Sequence, residues 1–206
     1  KKNLFCEKPL DYVYIKNLSL DLNFKKVFID TCESILNDKN FKDRSQSLLV
    51  NSIQSAGNLF QNRNPKVDQI KNIIQSEIEN YYFKFKNRND GIIKSWPKNF
   101  NLSGWLVSMK NGGKIKPHIH DYGWLSGSIY INVPPKSKKD SGNLVVTTHD
   151  PKDGKQEHDR GHHGDVIHQI GAAARAARQL RLGPTRPRFR PLACRLQCLL
   201  QVHRRG

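Results

Sequence analysis

The pattern of apolar and polar positions divides the chain into a helical first half and a strand-rich centre. Asp11–Leu18 alternates and is rich in β-branched and aromatic residues, which predicts a strand. From Leu22 to Leu36 the apolar positions Phe24, Val27, Phe28, Ile35 and Leu36, with Cys32 between them, predict a short amphipathic helix. Arg44–Phe60 reads as polar and irregular, with Gly57 as a turn. Val67, Ile70, Ile73, Ile74, Ile78, Tyr81, Tyr82 and Phe85 then fall mostly three and four apart, a single apolar stripe of about five helical turns. Pro65 suits the start of that helix.

After Pro97 the period becomes two. Leu102–Lys110 predicts a strand, Asn111-Gly112-Gly113 is turn chemistry, and Lys114–His120 predicts a second strand. Trp124–Val133 is a third, stopped by Pro134-Pro135; Lys136–Ser141 is a basic loop, and Gly142–Thr148 is a fourth strand. No internal repeat is found. Helices followed by consecutive short strands predict an α+β chain with a β-sandwich or barrel at its centre.

Composition changes this picture at the C-terminal end. The 206 residues carry a formal charge of +17, divided as +8 over residues 1–170 and +9 over the last 36. From Gly171 to Gly206 there are nine Arg and no Lys, Asp or Glu, whereas residues 1–170 hold all the Lys and all the acids. Two readings are open: an Arg-rich arm that binds nucleic acid through phosphate contacts, or a segment foreign to the domain that precedes it. The sharpness of the break favours the second. Gly171–Leu182 has high helix propensity, and the prolines and charge beyond Gly183 predict disorder.

Hydrophobic residues are only 36% of the chain, but nine Phe, six Tyr and three Trp suffice for a core. No stretch approaches the ~20 consecutive apolar residues of a membrane helix, so no membrane role is expected. No apolar run resembling a signal peptide opens the chain, which starts Lys1-Lys2-Asn3 without Met, as a fragment would. Cysteines at 6, 32, 194 and 198 form neither a disulfide framework nor a zinc knuckle, which points to a reducing, cytoplasmic location.

The candidate chemistry lies at Pro117-His118-Ile119-His120-Asp121. Residues two apart on a strand share a face, so His118 and His120 can both reach one metal ion, and Asp121 can add an oxygen. Two imidazoles and a carboxylate suit non-haem Fe(II). The same spacing also arises by accident on exposed strands. Residues 157–168 are rich in Gly and His and read as an exposed loop with adventitious affinity for divalent metals.

Several segments together carry a resemblance: Gly104-Trp105-Leu106-Val107-Ser108-Met109, Gly112-Gly113-Lys114, Pro117-His118-Ile119-His120, Gly123–Pro135 and Ser141-Gly142-Asn143-Leu144-Val145-Val146. Asp43-Arg44-Ser45-Gln46 and Ala56-Gly57-Asn58-Leu59-Phe60 add to it. Over roughly residues 9–148 the chain resembles 2-oxoglutarate/Fe(II)-dependent oxygenases, in particular the group often fused to tetratricopeptide repeats. The resemblance implies a double-stranded β-helix (jelly-roll) core preceded by helices, with Fe(II), 2-oxoglutarate as co-substrate and O2. It implies His118 as an iron ligand, His120 as the second and Asp121 as the alternative second. Tyr130 and Asn132 fall where related hydroxylases contact 2-oxoglutarate; a tyrosine simply buried in the barrel core is the other reading of Tyr130.

The family pattern is not followed beyond residue 148. The distal metal ligand is unassigned, with His168 as a candidate, and Arg178 is a candidate for the 2-oxoglutarate carboxylate. The expected organisation is a helical or mixed part at 1–100, jelly-roll strands with the metal motif at 101–150, a His/Gly-rich loop at 151–170, and an Arg-rich tail at 171–206, disordered or partly helical, with the last core strands missing. The expected function is an Fe(II)/2-oxoglutarate-dependent dioxygenase that hydroxylates a small molecule or protein. The alternatives are a catalytically incomplete oxygenase-like domain, or a basic module that binds nucleic acid through its tail.

Overall fold

One seven-stranded sheet runs through the computed structural model, which describes residues 6, 8–18, 23–116, 118 and 123–133 in full and the backbone of residues 169–173 and 195–204. Its strands are β1 (Tyr14–Ile15), β2 (Asp43–Arg44), β3 (Leu49–Ser55), β4 (Phe100–Ile115), β5 (Leu125–Asn132), β6 (Gln169–Ala173) and β7 (Arg195–Arg204). Their order is β1-β6-β5-β7-β4-β3-β2. Strand β6 runs parallel to β1 and β5, and the other pairings are antiparallel.

Helix α1 (Asp30–Leu36) continues a π-helical turn at Lys25–Ile29, so the amphipathic segment expected at 22–36 is helical from Phe24 on. Helix α2 (Pro65–Phe85) is the element the stripe predicted. Asn64 caps it by accepting a hydrogen bond from the Lys66 N–H at 2.9 Å, and Pro65 occupies the first turn, where its missing donor costs nothing. Val67, Ile70, Ile74, Ile78, Tyr81 and Phe85 are buried along it. A short helix α3 (Gly91–Lys94) follows. The buried stripe of α2 meets Tyr12 and Phe28, together with Leu102, Leu106, Leu125, Ile129 and Ile131 from one face of the sheet.

Glu77 lies within the same stripe and is buried, so its charge needs partners. Lys16 Nζ donates to it at 2.9 Å, the Tyr14 hydroxyl at 3.1 Å and the Asn80 amide at 3.0 Å. These bonds tie α2 to the β1 edge. The Tyr12 hydroxyl donates to Asp90 in the same region.

Asn58 links a helical turn at Leu59–Gln61 to β4. Its Oδ1 accepts from the N–H groups of Phe60 (3.1 Å) and Gly104 (3.0 Å), while its Nδ2 donates to the Leu102 carbonyl at 3.2 Å. The Phe60 ring lies close against Gly104, where an added Cβ would come within 2.2 Å of the Phe60 Cε2. Gly104→Ala is expected to cost about 2–3 kcal/mol through overpacking of this contact. Denaturant unfolding checks it, and an unchanged midpoint would mean the ring moves aside freely.

Cys32 is buried in the core, and burial pushes its thiol up to about 12 from the usual 9.0, with the Glu33 charge adding to the effect. Its folded-state pKa lies above the unfolded one, so the stabilising effect is complete below pH 9 and is lost as pH rises towards 12. Thermal unfolding at pH 8–11 should therefore show Tm falling above pH 9, less steeply in Cys32→Ala. Equal slopes in the two proteins would contradict this.

Several expectations are corrected. Arg44–Phe60 is not irregular: it contains β3. Asp11–Leu18 gives a 3-10 turn at Pro9–Tyr12 and only a two-residue strand. Asn111-Gly112-Gly113 is not a hairpin turn between two strands, because β4 runs through it to Ile115. The tail is not wholly disordered or helical: Gln169–Ala173 and Arg195–Arg204 are strands, and they flank β5 where core strands were expected to be missing. The strand expected at Gly142–Thr148, the loops at 136–141 and 157–168 and most of the helix expected at 171–182 lie outside the described residues. Mixed helix and antiparallel sheet make the chain α+β. Among the described residues the strands join in one sheet, which by itself shows neither a barrel nor a jelly roll.

Candidate active site

Strand β5 is buried on both faces. Leu125, Ile129 and Ile131 join the helix-packed core, whereas Ser126, Ser128 and Tyr130 alternate with them and are buried on the opposite side. Strand β4 behaves in the same way: Leu102 and Leu106 enter the core, while Val107 and Met109 are buried outside it. Gln54 of β3 pairs with Val107 and is only 4% exposed. The far face of the sheet is thus a covered surface in which polar groups interleave with apolar ones.

Register joins these positions into one row across the sheet. Arg44 pairs with Gln54, Gln54 with Val107, Val107 with Gln197, Gln197 with Tyr130, and Tyr130 with Ala173. A buried carboxamide costs about 1–3 kcal/mol unless it is hydrogen-bonded, so Gln54 marks this face as built for polar contacts. Tyr130 sits in the row itself; the half-buried Asn132 lies beyond a register shift and pairs with Leu196, the neighbour of Gln197.

His118 lies three residues beyond the end of β4. The Lys116 N–H donates to the Leu48 carbonyl at 2.9 Å, which holds this segment beside β3. The His118 Nδ1 lies 2.9 Å from the Lys116 carbonyl oxygen. A carbonyl can only accept, so Nδ1 carries the proton, and in the neutral ring the lone pair is on Nε2. This is the tautomer that metal-binding histidines use, fixed by the backbone partner that typically fixes it.

Of the predicted site residues, the structure describes His118, Tyr130 and Asn132. His120, Asp121, His168 and Arg178 lie outside the described residues, and among the described residues no group of three His, Cys, Asp or Glu side chains could hold a metal. The buried Gln54 was not read from the sequence, because it was hidden in a segment whose polar residues masked its alternation.

The buried cysteines belong to a different category. Burial, with the charge of Asp90 next, pushes the Cys6 thiol up to about 11, so both Cys6 and Cys32 are neutral at physiological pH and poor nucleophiles. No helix among the described residues is long and apolar enough to cross a membrane.

The described part of the candidate site is thus His118, with its ring on the Lys116 carbonyl, and a buried, partly polar sheet face that carries Tyr130. Residues 103–176 match the family described as "Putative 2OG-Fe(II) oxygenase", a stretch that takes in most of β4, His118, β5 and β6. No curated protein and no solved structure matches the chain. The match supports an oxidoreductase of the dioxygenase kind, with the general dependence on Fe(II) and 2-oxoglutarate which that family name states.

Proposed function

We propose that the chain is an Fe(II)/2-oxoglutarate-dependent hydroxylase with a jelly-roll core, acting in the cytoplasm on a small molecule or protein. The family match over residues 103–176 carries this reading. The His118 tautomer fits it, because an imidazole held by its Nδ1–H presents Nε2 to a metal. Bound Fe(II) would supply activation of O2 at the expense of 2-oxoglutarate, so that one oxygen atom enters succinate, CO2 leaves and the other oxygen enters a substrate C–H bond.

The residues of this chain bind and orient. His118 would hold the iron, with His120 as second ligand or Asp121 in its place. Tyr130 and Asn132 would contact 2-oxoglutarate, the tyrosine through a phenol buried in the far face and therefore shielded from competing water. Arg178 is retained as the candidate for the 2-oxoglutarate carboxylate. His168 is retained as the candidate distal ligand.

Succinate release that requires both Fe(II) and 2-oxoglutarate tests the reading. Tyr130→Phe is expected to raise the KM for 2-oxoglutarate about tenfold with kcat little changed, the loss of one hydrogen bond of roughly 1–1.5 kcal/mol. A protein that releases no succinate and binds neither iron nor 2-oxoglutarate would overturn it.

A further inference from the structure

Three buried polar side chains on the far face of the sheet take no part in the hydrogen bonding of the fold. Gln54 and Ser128 are each 4% exposed and Ser126 is 8% exposed. Among the described residues no hydrogen bond engages the Gln54 carboxamide or the hydroxyls of Ser126 and Ser128. Ser55 and Glu77, buried on the helical side, differ. Ser55 Oγ accepts from the Leu106 N–H at 3.0 Å, and Glu77 has Lys16, Tyr14 and Asn80 as donors. A buried polar group without a partner costs stability, and such groups are rare unless something outside the chain completes them.

The register puts the three on one surface. Gln54 pairs with Val107, Val107 with Gln197 and Gln197 with Tyr130, and the register shifts of the sheet lie outside these pairs. Ser126 and Ser128 precede Tyr130 at alternate positions of β5 and share its face. Neighbouring strands lie ~4.8 Å apart, so three steps across the sheet put Gln54 about 14 Å from Tyr130. 2-Oxoglutarate held at Tyr130 is too short to reach Gln54, which leaves the Gln54 end for the substrate that is oxidised. Between the two ends Val107 is buried and apolar, with Met109 at the next position on its side of β4.

The chemistry of this face narrows what it can hold. Its described buried polar groups are uncharged, and Arg44, opposite Gln54 at the end of the row, is exposed. A free amino acid or a phosphorylated compound would bring charges that none of these buried groups offsets. A carboxamide both donates and accepts, as a peptide bond does. An extended peptide rises ~3.3 Å per residue, so about four residues span the distance from Tyr130 to Gln54.

We propose that this face binds an uncharged, extended peptide segment, with Gln54, Ser126 and Ser128 on its backbone amides and Val107 and Met109 beneath an apolar side chain, so that the substrate is a residue within a polypeptide. The reaction rests on the oxygenase reading; the binding surface does not.

Two measurements on the full chain test it. Gln54→Met keeps the unbranched stem and removes the unused carboxamide, so its Tm with no peptide added should rise by about 2–4 °C, and Ser128→Ala should not lower Tm. A Gln54→Met protein that melts below wild type would show that the carboxamide is already satisfied within the fold, and overturns the proposal. The second measurement is succinate release with Fe(II) and 2-oxoglutarate in the presence of N-acetylated, C-amidated glycine pentapeptides with valine, leucine, proline or phenylalanine at the centre. At least one of them is expected to raise wild-type release, and Gln54→Met should need about tenfold more of it for the same effect. Release that no peptide raises, that the free amino acids raise as well, or that rises equally in Gln54→Met overturns the peptide assignment. A chain that releases no succinate under any condition contradicts the oxygenase reading instead, and the melting result still decides whether the Gln54 face is a ligand site.

Discussion

A chain that stops after Ala193 is expected to lose its cooperative unfolding transition. The lost segment contains β7, which pairs with β4 over ten positions, from Phe100↔Arg204 to Met109↔Arg195, and with β5 from Leu125 to Asn132. β4 and β5 are not neighbours in the sheet, so β7 is what joins them. Its removal leaves two inward edges, on strands whose described side chains are largely buried. At about 1–3 kcal/mol for each buried backbone group left unpaired, a handful of such groups exceeds the roughly 5–15 kcal/mol that holds a domain folded. The opposite expectation belongs to a tail foreign to the domain, whose removal leaves Tm unchanged. Circular dichroism melts of the full and shortened chains decide between them: a shortened chain that melts at the wild-type temperature would remove β7 from the account.

His118→Ala should weaken metal binding by at least about 100-fold while leaving the fold intact. The magnitude follows because even partners that merely orient a ligand cost 10–100-fold when removed, and His118 is argued to be the ligand itself. Stability should be little affected, since His118 is half-buried beyond the end of β4 and outside the hydrophobic core. His118→Gln keeps bulk and polarity but replaces the imidazole lone pair with an amide, and should not rescue affinity. A variant that binds Co(II) or Fe(II) as tightly as wild type would remove His118 from the site.

The sequence was most informative where one period ran unbroken. The stripe from Val67 to Phe85 became α2, with Pro65 and Asn64 at its start, because packing one helical face against the sheet requires that spacing. β5 was legible as a run of small, β-branched and aromatic residues stopped by Pro134-Pro135, although its burial on both faces was not. β3 escaped because Asn51, Ser52, Gln54 and Ser55 are polar, and two of them, Gln54 and Ser55, are nonetheless buried: Ser55 Oγ accepts from the Leu106 N–H at 3.0 Å, and Gln54 lies on the far face.

The Asn-Gly-Gly sequence was read as a turn between two strands, whereas Gly112, at φ 72°, belongs to a bulge within β4, and only the register of β3 distinguishes the two. For the site, the His-x-His pair and Tyr130 could be picked out as chemistry. The row joining Tyr130 to Gln54 depends on pairings between residues far apart in the chain, and the tautomer of His118 on the local backbone bend that brings its ring to the Lys116 carbonyl oxygen. β7 was illegible for a different reason: the arginine-rich composition around it resembles a disordered arm, whereas Leu196, Leu199, Leu200 and Val202 within it give the segment enough apolar content for a strand.

The most direct test of the central claim is anaerobic titration of the full chain with Fe(II) and 2-oxoglutarate, wild type beside His118→Ala, watching the visible metal-to-ligand charge-transfer band of the chelated complex. The account predicts a band that saturates at one equivalent of iron, requires 2-oxoglutarate and is absent from His118→Ala. A chain that gives no band in either protein, or the same band in both, would contradict it.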